Sequence, residues 1–182
     1  KHHHIVNVTV SGSWWSGALG DNQVPHSTMP DGAPNGYSIM SFDRDGYKLD
    51  FKAAGRPASE QLRIHLPSNI YTKKTEGVPI WVNVYNGSEE SKVEYRIDRK
   101  EKWIELSKTI EPDPYFIELS KRDAGVDPKL PQPKNSYHLW KGTLPANIAP
   151  GAHLIEVKTT DRHGRIYIAH RSLRVTGKPI EK

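Results

Sequence analysis

Apolar and polar residues alternate with a period of two over several short stretches of this chain. Tyr47, Leu49 and Phe51 alternate with lysine and aspartate, and residues 93–98 repeat the pattern with valine, tyrosine and isoleucine. Successive side chains of a strand point to opposite faces, so this period predicts half-buried β-strands. Turn-forming sequences at residues 43–46 and 161–164 separate neighbouring stretches and predict β-hairpins.

Strands are expected throughout the chain, with turn residues between them. They are predicted over residues 5–10, 37–42, 47–52, 61–66, 79–85, 93–98, 137–144, 153–159 and 166–175. One short helix is expected around Tyr115–Asp123, where Phe116, Leu119 and Arg122 recur at helical spacing. Short strands separated by turns predict an all-β fold: an immunoglobulin- or fibronectin-like β-sandwich preceded by an N-terminal β-hairpin segment with a long loop.

The polar stretch at residues 69–77 carries no periodic pattern and is interpreted as a linker. The predicted organisation is therefore an N-terminal β segment over residues 1–68, the linker, a sandwich over residues 78–177 and a tail over residues 178–182. A loop over residues 17–36, with three prolines and four glycines, is long for a compact domain. Such loops often serve function or pack against another surface.

Composition narrows the functional classes. With 35% hydrophobic residues the chain can fold, and without cysteine it has neither disulfides nor thiolate zinc sites. No apolar run approaches the roughly 20 residues of a membrane helix, so no membrane span is expected. The net charge of +5 is spread among interleaved acidic residues, which favours a solvated surface over a nucleic-acid interface.

Histidines and carboxylates do not form a local metal motif. His2, His3 and His4 are adjacent, and neighbouring strand side chains point apart, so a tag remnant or a solvated strand start explains them. The other histidines lack partners at metal-ligand spacing. No metal site and no catalytic residue is therefore assigned to this chain.

Aromatic residues are the remaining candidates for binding. Trp14 and Trp15 are adjacent, so one is expected to pack against residues 25–34 while the other stacks on a ligand or a neighbouring domain; packing of both is the alternative. A second set of aromatic residues could form a carbohydrate-binding platform on the sandwich. This set is Trp81, Tyr85, Trp103 and Trp140.

Two runs around this loop carry a family resemblance. The run Ser11–Gly17, with its Trp-Trp pair, and the run Pro25–Tyr37, which contains Asp-Gly-Ala-Pro-Asn-Gly-Tyr, resemble the segment after the catalytic core in certain bacterial calcineurin-like phosphoesterases. Residues 81–87, 138–140 and 160–164 resemble the C-terminal module of the same proteins. The resemblance covers nearly the whole chain.

The resemblance implies a parent enzyme that hydrolyses phosphate esters with two divalent metal ions. The family's metal-binding motifs are missing here; Gly20-Asp21-Asn22-Gln23-Val24 begins like one of them but ends without the required carboxylate. The chain is therefore expected to be a non-catalytic accessory region, partnered with its own upstream catalytic domain in a periplasmic or secreted bacterial protein. A carbohydrate- or cell-surface-polymer-binding module is the alternative.

By the same resemblance, the long loop is expected to line the substrate entrance or to contact the catalytic domain. The candidate residues are Trp14, Trp15, Asp31, Asn35 and Tyr37.

Overall fold

The computed structural model describes residues 4–7, 10–44, 46–71, 75–100 and 102–177. Within these ranges the chain forms eleven strands and one helix, so the all-β prediction is confirmed. The strands are β1 (Gly36–Asp43), β2 (Gly46–Ala53), β3 (Leu62–His65), β4 (Asn69–Tyr71), β5 (Pro79–Val84), β6 (Lys92–Ile97), β7 (Ile104–Glu105), β8 (Ser107–Pro112), β9 (Asn135–Thr143), β10 (Gly151–Thr160) and β11 (Ile166–Thr176). The helix, α1, spans Pro114–Arg122.

The chain divides into two compact units. Unit 1 comprises Lys1–Gln61 with Glu111–Ser136, and unit 2 comprises Leu62–Ile110 with Tyr137–Lys182. The domain organisation predicted from the linker at residues 69–77 stays a prediction. No helix in the described ranges has the length and apolar composition needed to cross a membrane.

Unit 2 is a β-sandwich, as predicted. Its five-stranded sheet has the order β4-β11-β10-β6-β7, and its four-stranded sheet has the order β3-β5-β9-β8. Alternate residues of both sheets point inward and form one buried cluster, because each strand has one apolar face. The cluster includes Ile64, Ile80, Val82 and Trp140 from one sheet and Val93, Tyr95, Ile155, Val157 and Val175 from the other. The immunoglobulin or fibronectin type of the sandwich stays a prediction.

Polar side chains inside the sandwich form hydrogen bonds to backbone carbonyl oxygens on the opposite side of it. The Tyr95 hydroxyl donates to the Thr143 carbonyl oxygen at 2.6 Å, and burial raises the pKa of Tyr95 to about 12. The Arg171 guanidinium donates to the carbonyl oxygens of Ile64 at 3.3 Å and Leu66 at 3.0 Å. These bonds matter because a buried polar group without a partner is costly.

Unit 1 contains the predicted hairpin, the predicted helix and the long loop. Strands β1 and β2 pair from Gly36–Ala53 to Asp43–Gly46; Asp45 of the predicted turn lies outside the described residues. Asp113 caps α1 by accepting the backbone N–H groups of Tyr115 at 2.7 Å and Phe116 at 3.2 Å. Pro114 follows at the first helical position, where its missing N–H costs no bond.

Three segments differ from the sequence prediction, one of them being residues 104–112, where β7 and β8 form without a predicted strand. Residues 5–7 and Val10 lie outside any strand, while Val8 and Thr9 of the predicted strand are outside the described residues. Conversely, β4 lies inside the predicted linker, where it pairs in parallel with residues 174–176 of β11. A strand that depends on a partner about a hundred residues away need not show a local pattern. His2, His3 and residues 178–182 also lie outside the described ranges.

Candidate functional site

Buried serine and threonine side chains hold the long loop of unit 1 together. The Ser13 hydroxyl donates to the Thr28 carbonyl oxygen at 2.8 Å, and the Ser16 hydroxyl donates to the Ser13 carbonyl oxygen at 2.5 Å. Backbone bonds join Ser13 to Ser27 at 3.0 Å and Ser27 to Ser16 at 3.1 Å. All four residues are 5% exposed or less. The loop is therefore a built structure with its own polar interior.

His26 connects this loop to the end of α1. The Thr28 backbone N–H donates to His26 Nδ1 at 3.1 Å, so Nδ1 carries no proton. The proton is on Nε2, which donates to Asp123 Oδ2 at 2.8 Å, and the Ala18 backbone N–H reaches the same oxygen at 2.8 Å. The hydrogen bond from the Arg122 guanidinium, with those from Ala18 and His26, holds the pKa of Asp123 well below its usual range against the effect of burial.

Thr28, His26 and Asp123 are linked by hydrogen bonds in the order hydroxyl, imidazole, carboxylate, as in a catalytic triad. The Thr28 hydroxyl oxygen lies 2.8 Å from His26 Nδ1. However, Thr28 is only 1% exposed, so its hydroxyl has no access to a substrate. Because a catalytic nucleophile must reach the reacting atom, this arrangement is structural.

The other end of α1 meets the same loop at Gly32. A Cβ atom on Gly32 would lie 2.4 Å from Cγ of the cap residue Asp113, and the φ angle of Gly32 is +87°. Both the space and the backbone conformation therefore require glycine. The loop contacts α1 at both ends, which positions the aromatic residues it carries.

Trp14 and Trp15 both point toward solvent. They are 87% and 54% exposed, and both have φ of 58°, in the left-handed region. That conformation costs a residue with a side chain roughly 1–2 kcal/mol. Backbone strain of this kind concentrates at functional sites, so the pair is the most conspicuous candidate contact surface of unit 1.

Trp15 and Asn35 lie in one hollow of unit 1. The hollow has a volume of about 510 Å³, within the range of small-molecule sites. Its polar lining residues are Asp21, Asn22, His26, Asn35 and Arg56. The Asn35 side chain donates to the Val10 carbonyl oxygen at 2.9 Å, which fixes its orientation.

The other candidates of the loop lie outside this hollow. Trp14 is not among its lining residues. Asp31 accepts the Ala33 backbone N–H at 3.1 Å and thereby stabilises a turn. Tyr37 is 43% exposed on β1. The structure therefore brings together two of the five predicted loop residues, and their role stays a prediction.

The four aromatic residues predicted as a platform lie in three different environments. Trp140 is 2% exposed in the core, and Tyr85 is 6% exposed. Trp81 lies on the outer face of the four-stranded sheet, where the Lys141 amino group is 5.1 Å from its ring centroid. Trp103 packs over Arg96 and Lys158 on the other sheet. The rings do not share one surface, so carbohydrate binding stays a prediction for Trp81 or Trp103 separately.

Sequence reasoning missed an ionic cluster on the outer face of the five-stranded sheet. Glu156 is 4% exposed and accepts from Arg96 Nε at 2.7 Å and from His170 Nε2 at 2.9 Å. Burial raises the pKa of Glu156, but the hydrogen bonds from His170 and Arg96 outweigh it and the net pKa is lowered. The signal that could have found the cluster is register, since Glu156 pairs with both residues across β10–β11 and β10–β6.

His153 carries a second structural charge in unit 2. Its Nδ1 lies 2.7 Å from Asp98 Oδ2 and its Nε2 lies 2.7 Å from the Ala149 carbonyl oxygen. Both partners only accept hydrogen bonds, so both ring nitrogens carry protons and the side chain is an imidazolium. The Asp98 hydrogen bond raises the pKa of His153, helped by Ala149 and opposed by burial and by Lys100.

We expect the stability of unit 2 to fall as pH rises through this raised pKa. The contribution of His153 is complete below its ordinary pKa of about 6.5 and is lost once the folded protein releases the proton. Urea unfolding at pH values from about 6 to 9 measures the change. His153→Gln should be less stable at pH 6 and should show a shallower pH dependence; equal slopes for both proteins would contradict the assignment.

The described residues do not fit the two-metal centre that the resemblance implies for the parent. His26 and His153 use both ring nitrogens in internal hydrogen bonds. The Glu156–His170 pair also holds the Arg96 guanidinium, which would repel a metal cation. In the described ranges no group of three or more histidine, cysteine, aspartate or glutamate residues could hold a metal ion.

The fold and this site define a β-sandwich protein with a second unit built from a hairpin, a helix and a structured loop. A family model described as the C terminal of calcineurin-like phosphoesterase matches residues 4–167. The chain therefore belongs to this family, and the resemblance predicted from the sequence is confirmed.

The chain was also compared with curated proteins and with solved structures. A comparison with curated proteins found no match. Among solved structures, the chain is similar to CopC from Methylosinus trichosporium OB3b, with 10% sequence identity, a TM-score of 0.34, and coverage of 65% of this chain and 95% of that chain. A likeness at this level supports no argument about function.

Proposed function

We propose that this chain is the non-catalytic C-terminal accessory region of a longer calcineurin-like phosphoesterase, the parent. The family match over residues 4–167 carries the proposal. The internal bonding of His26, His153 and Glu156 supports it, because these acid–base groups are committed to holding the fold. The reaction itself, with two divalent metal ions, would belong to the catalytic domain of the parent.

Within the parent, the loop of unit 1 would line the substrate entrance. Trp15 supplies an exposed indole that can stack on a substrate, and Asn35 supplies an amide beside it in the same hollow. Arg56 lies on the lining of this hollow and pairs with Glu60. A guanidinium is well suited to a phosphate ester, so this lining fits the proposed substrate class.

The compartment proposed for the parent is the bacterial periplasm or the exterior of the cell. The family resemblance is its only support. Fractionation of cells that express the parent, with a cytoplasmic marker as control, would test it.

An activity assay separates the accessory role from catalysis. We expect the 182-residue chain to release no nitrophenol from nitrophenyl phosphate with added manganese or zinc, while the parent does. The accessory role would be overturned if the chain alone showed metal-dependent turnover and that activity copurified with the chain.

Substitutions in the parent test separately whether the loop of unit 1 lines the substrate entrance. Trp15→Ala should lower kcat/KM several-fold if the indole contacts substrate, whereas Trp81→Ala, on the sandwich, should leave it unchanged. Unchanged kinetics for Trp15→Ala would remove the entrance role and leave the accessory role standing.

A further inference from the structure

A second hollow lies in unit 2, where β6 ends beside the start of β10, and is called the unit 2 hollow. Its volume is about 410 Å³, within the range of small-molecule sites. Residues on two segments line it: one follows β6, between residues 97 and 104, and the other joins β9 to β10, between residues 145 and 149. Residue 101 lies outside the described residues and has no part in the argument.

Apolar side chains form the base of the unit 2 hollow. Ile97 and Ile148 line it and belong to the buried cluster between the two sheets, with exposed fractions of 9% and 8%. Ile104 adds an apolar side chain that is 37% exposed. The hollow therefore opens onto the edge of the sandwich core, where it can take up a nonpolar part of a ligand.

Hydrogen bonds within the chain join the two lining segments. His153 Nδ1 donates to Asp98 Oδ2 at 2.7 Å, and His153 Nε2 donates to the Ala149 carbonyl oxygen at 2.7 Å. The Leu154 backbone N–H donates to Asp98 Oδ1 at 2.9 Å, and the Asp98 backbone N–H donates to the Leu154 carbonyl oxygen at 2.8 Å. The hollow is therefore preformed, and a preformed site loses less free energy to ordering when a ligand binds.

Three residues on the two segments have φ angles in the left-handed region. The angle is +54° at Asp98, +55° at Arg99 and +57° at Asn147. Aspartate and asparagine tolerate this conformation, whereas arginine does so at a steric cost. Strain of this kind concentrates at functional sites, so the backbone supports a binding role for the hollow independently of its volume.

Positive charge is in excess among the described lining residues. The Asp98 carboxylate pairs with the His153 imidazolium, and the ammonium groups of Lys100 and Lys102 add two further positive charges. The pKa of His153, raised overall by its hydrogen bond to Asp98, is lowered in part by repulsion from Lys100. A bound anion would reduce the repulsion between these cations.

We propose that unit 2 binds a small organic anion in this hollow. The carboxylate, phosphate or sulfonate group of the ligand lies at Lys100 and Lys102. Its apolar part lies against Ile97, Ile104 and Ile148. The inference concerns unit 2 alone and does not rest on the accessory role proposed for the chain.

A titration of the 182-residue chain with octanesulfonate, followed by methyl NMR, tests the proposal. Octanesulfonate joins an anionic group to an apolar chain, and a phosphatase cannot hydrolyse it, so the result is independent of any phosphatase activity. We expect saturable shifts of the Ile104 and Ile148 methyl signals. Methanesulfonate, the anionic group alone, and 1-octanol, the apolar chain alone, should each bind about tenfold more weakly or less.

Two pairs of substitutions separate the hollow from the overall charge of the chain. Lys100→Gln with Lys102→Gln should weaken octanesulfonate binding about fivefold or more and leave octanol binding unchanged. The control, Lys48→Gln with Lys92→Gln, removes the same charge from exposed lysines outside the lining and should leave octanesulfonate binding unchanged. Ala146→Glu places a carboxylate at an exposed lining position and should weaken binding further. Circular dichroism checks that each variant keeps its fold.

Several results would overturn the proposal. Equal weakening by the two lysine pairs would mean that the net charge of +5 attracts the anion without a site. Octanol binding as strong as octanesulfonate binding would remove the anionic part of the assignment. Shifts confined to unit 1, or the lack of any saturable shift, would remove the hollow as a site. Binding only to phosphatidylglycerol vesicles would identify a membrane surface instead.

Failure of this proposal differs from failure of the accessory role. Absence of octanesulfonate binding removes only the anion site of unit 2. Phosphatase activity of the chain alone removes the accessory role, whatever the titration shows.

Discussion

Replacing Trp140 by alanine is expected to destabilise the sandwich of unit 2 by about 3–5 kcal/mol, the usual cost of removing a large aromatic side chain from a core. Trp140 is 2% exposed and belongs to the buried cluster between the two sheets. Its ring fills the space beside Gly87, where an added Cβ would lie 2.7 Å from the indole. Urea unfolding followed by far-ultraviolet circular dichroism measures the loss without relying on tryptophan fluorescence.

Trp81→Ala is the matched control for this change. Trp81 is half-buried on the outer face of the same sheet, with His65 edge-on at 5.9 Å and Lys141 at 5.1 Å from its ring. Because such contacts at the surface contribute little, we expect a loss of about 1 kcal/mol or less. Equal losses for the two variants would contradict the assignment of Trp140 to the core and Trp81 to the surface.

Replacing Asp123 by asparagine is expected to destabilise unit 1 by about 3 kcal/mol. The carboxylate is 2% exposed and accepts from Ala18, His26 and Arg122. Breaking a buried pair leaves its donors without a partner, which costs about 3–5 kcal/mol in comparable cases. Amide hydrogen exchange of α1 reports the loss locally. Asp43→Asn, at an exposed ion pair 3.9 Å long in the same unit, should change stability by less than about 0.5 kcal/mol.

Because the pKa of Asp123 is lowered, the contribution of its carboxylate to the stability of unit 1 depends on pH, and the sign of that dependence is known. Stabilisation by a carboxylate with a lowered pKa is complete above the ordinary value of about 3.9 and is lost as pH falls through the folded value. The difference between the native chain and Asp123→Asn should therefore shrink in acid. A difference that stays constant from about pH 6 down to pH 2 would contradict the role given to the carboxylate.

Gly17 lies against the hydrogen bond between His26 and Asp123. A Cβ there would lie 2.4 Å from His26 Nε2, and φ is +89°, whereas Gly55 has φ of +67° and nothing within 4 Å. Gly17→Ala should therefore cost about 2 kcal/mol more than Gly55→Ala, since only the first displaces the imidazole. Equal costs would mean that His26 can move without loss.

The candidate site could be predicted only in part, because some of its interacting residues lie far apart in the sequence. The sequence identifies Trp15 and Asn35 because they lie in two neighbouring runs rich in turn residues. It does not identify Asp123, which lies 97 residues from its partner His26. It also assigns Trp140 to a platform, because an aromatic residue in an alternating strand looks the same from either face until the register is known.

The sequence by itself determined the all-β class, the β1–β2 hairpin, the short helix and the family, because alternation, turn residues and sequence runs are local properties. Only the tertiary structure decided which face of each strand is buried, that residues 69–71 form a strand, and that the loop contacts both ends of α1. Those features depend on groups far apart in the chain, whose meeting is set by packing and register, which no local pattern records.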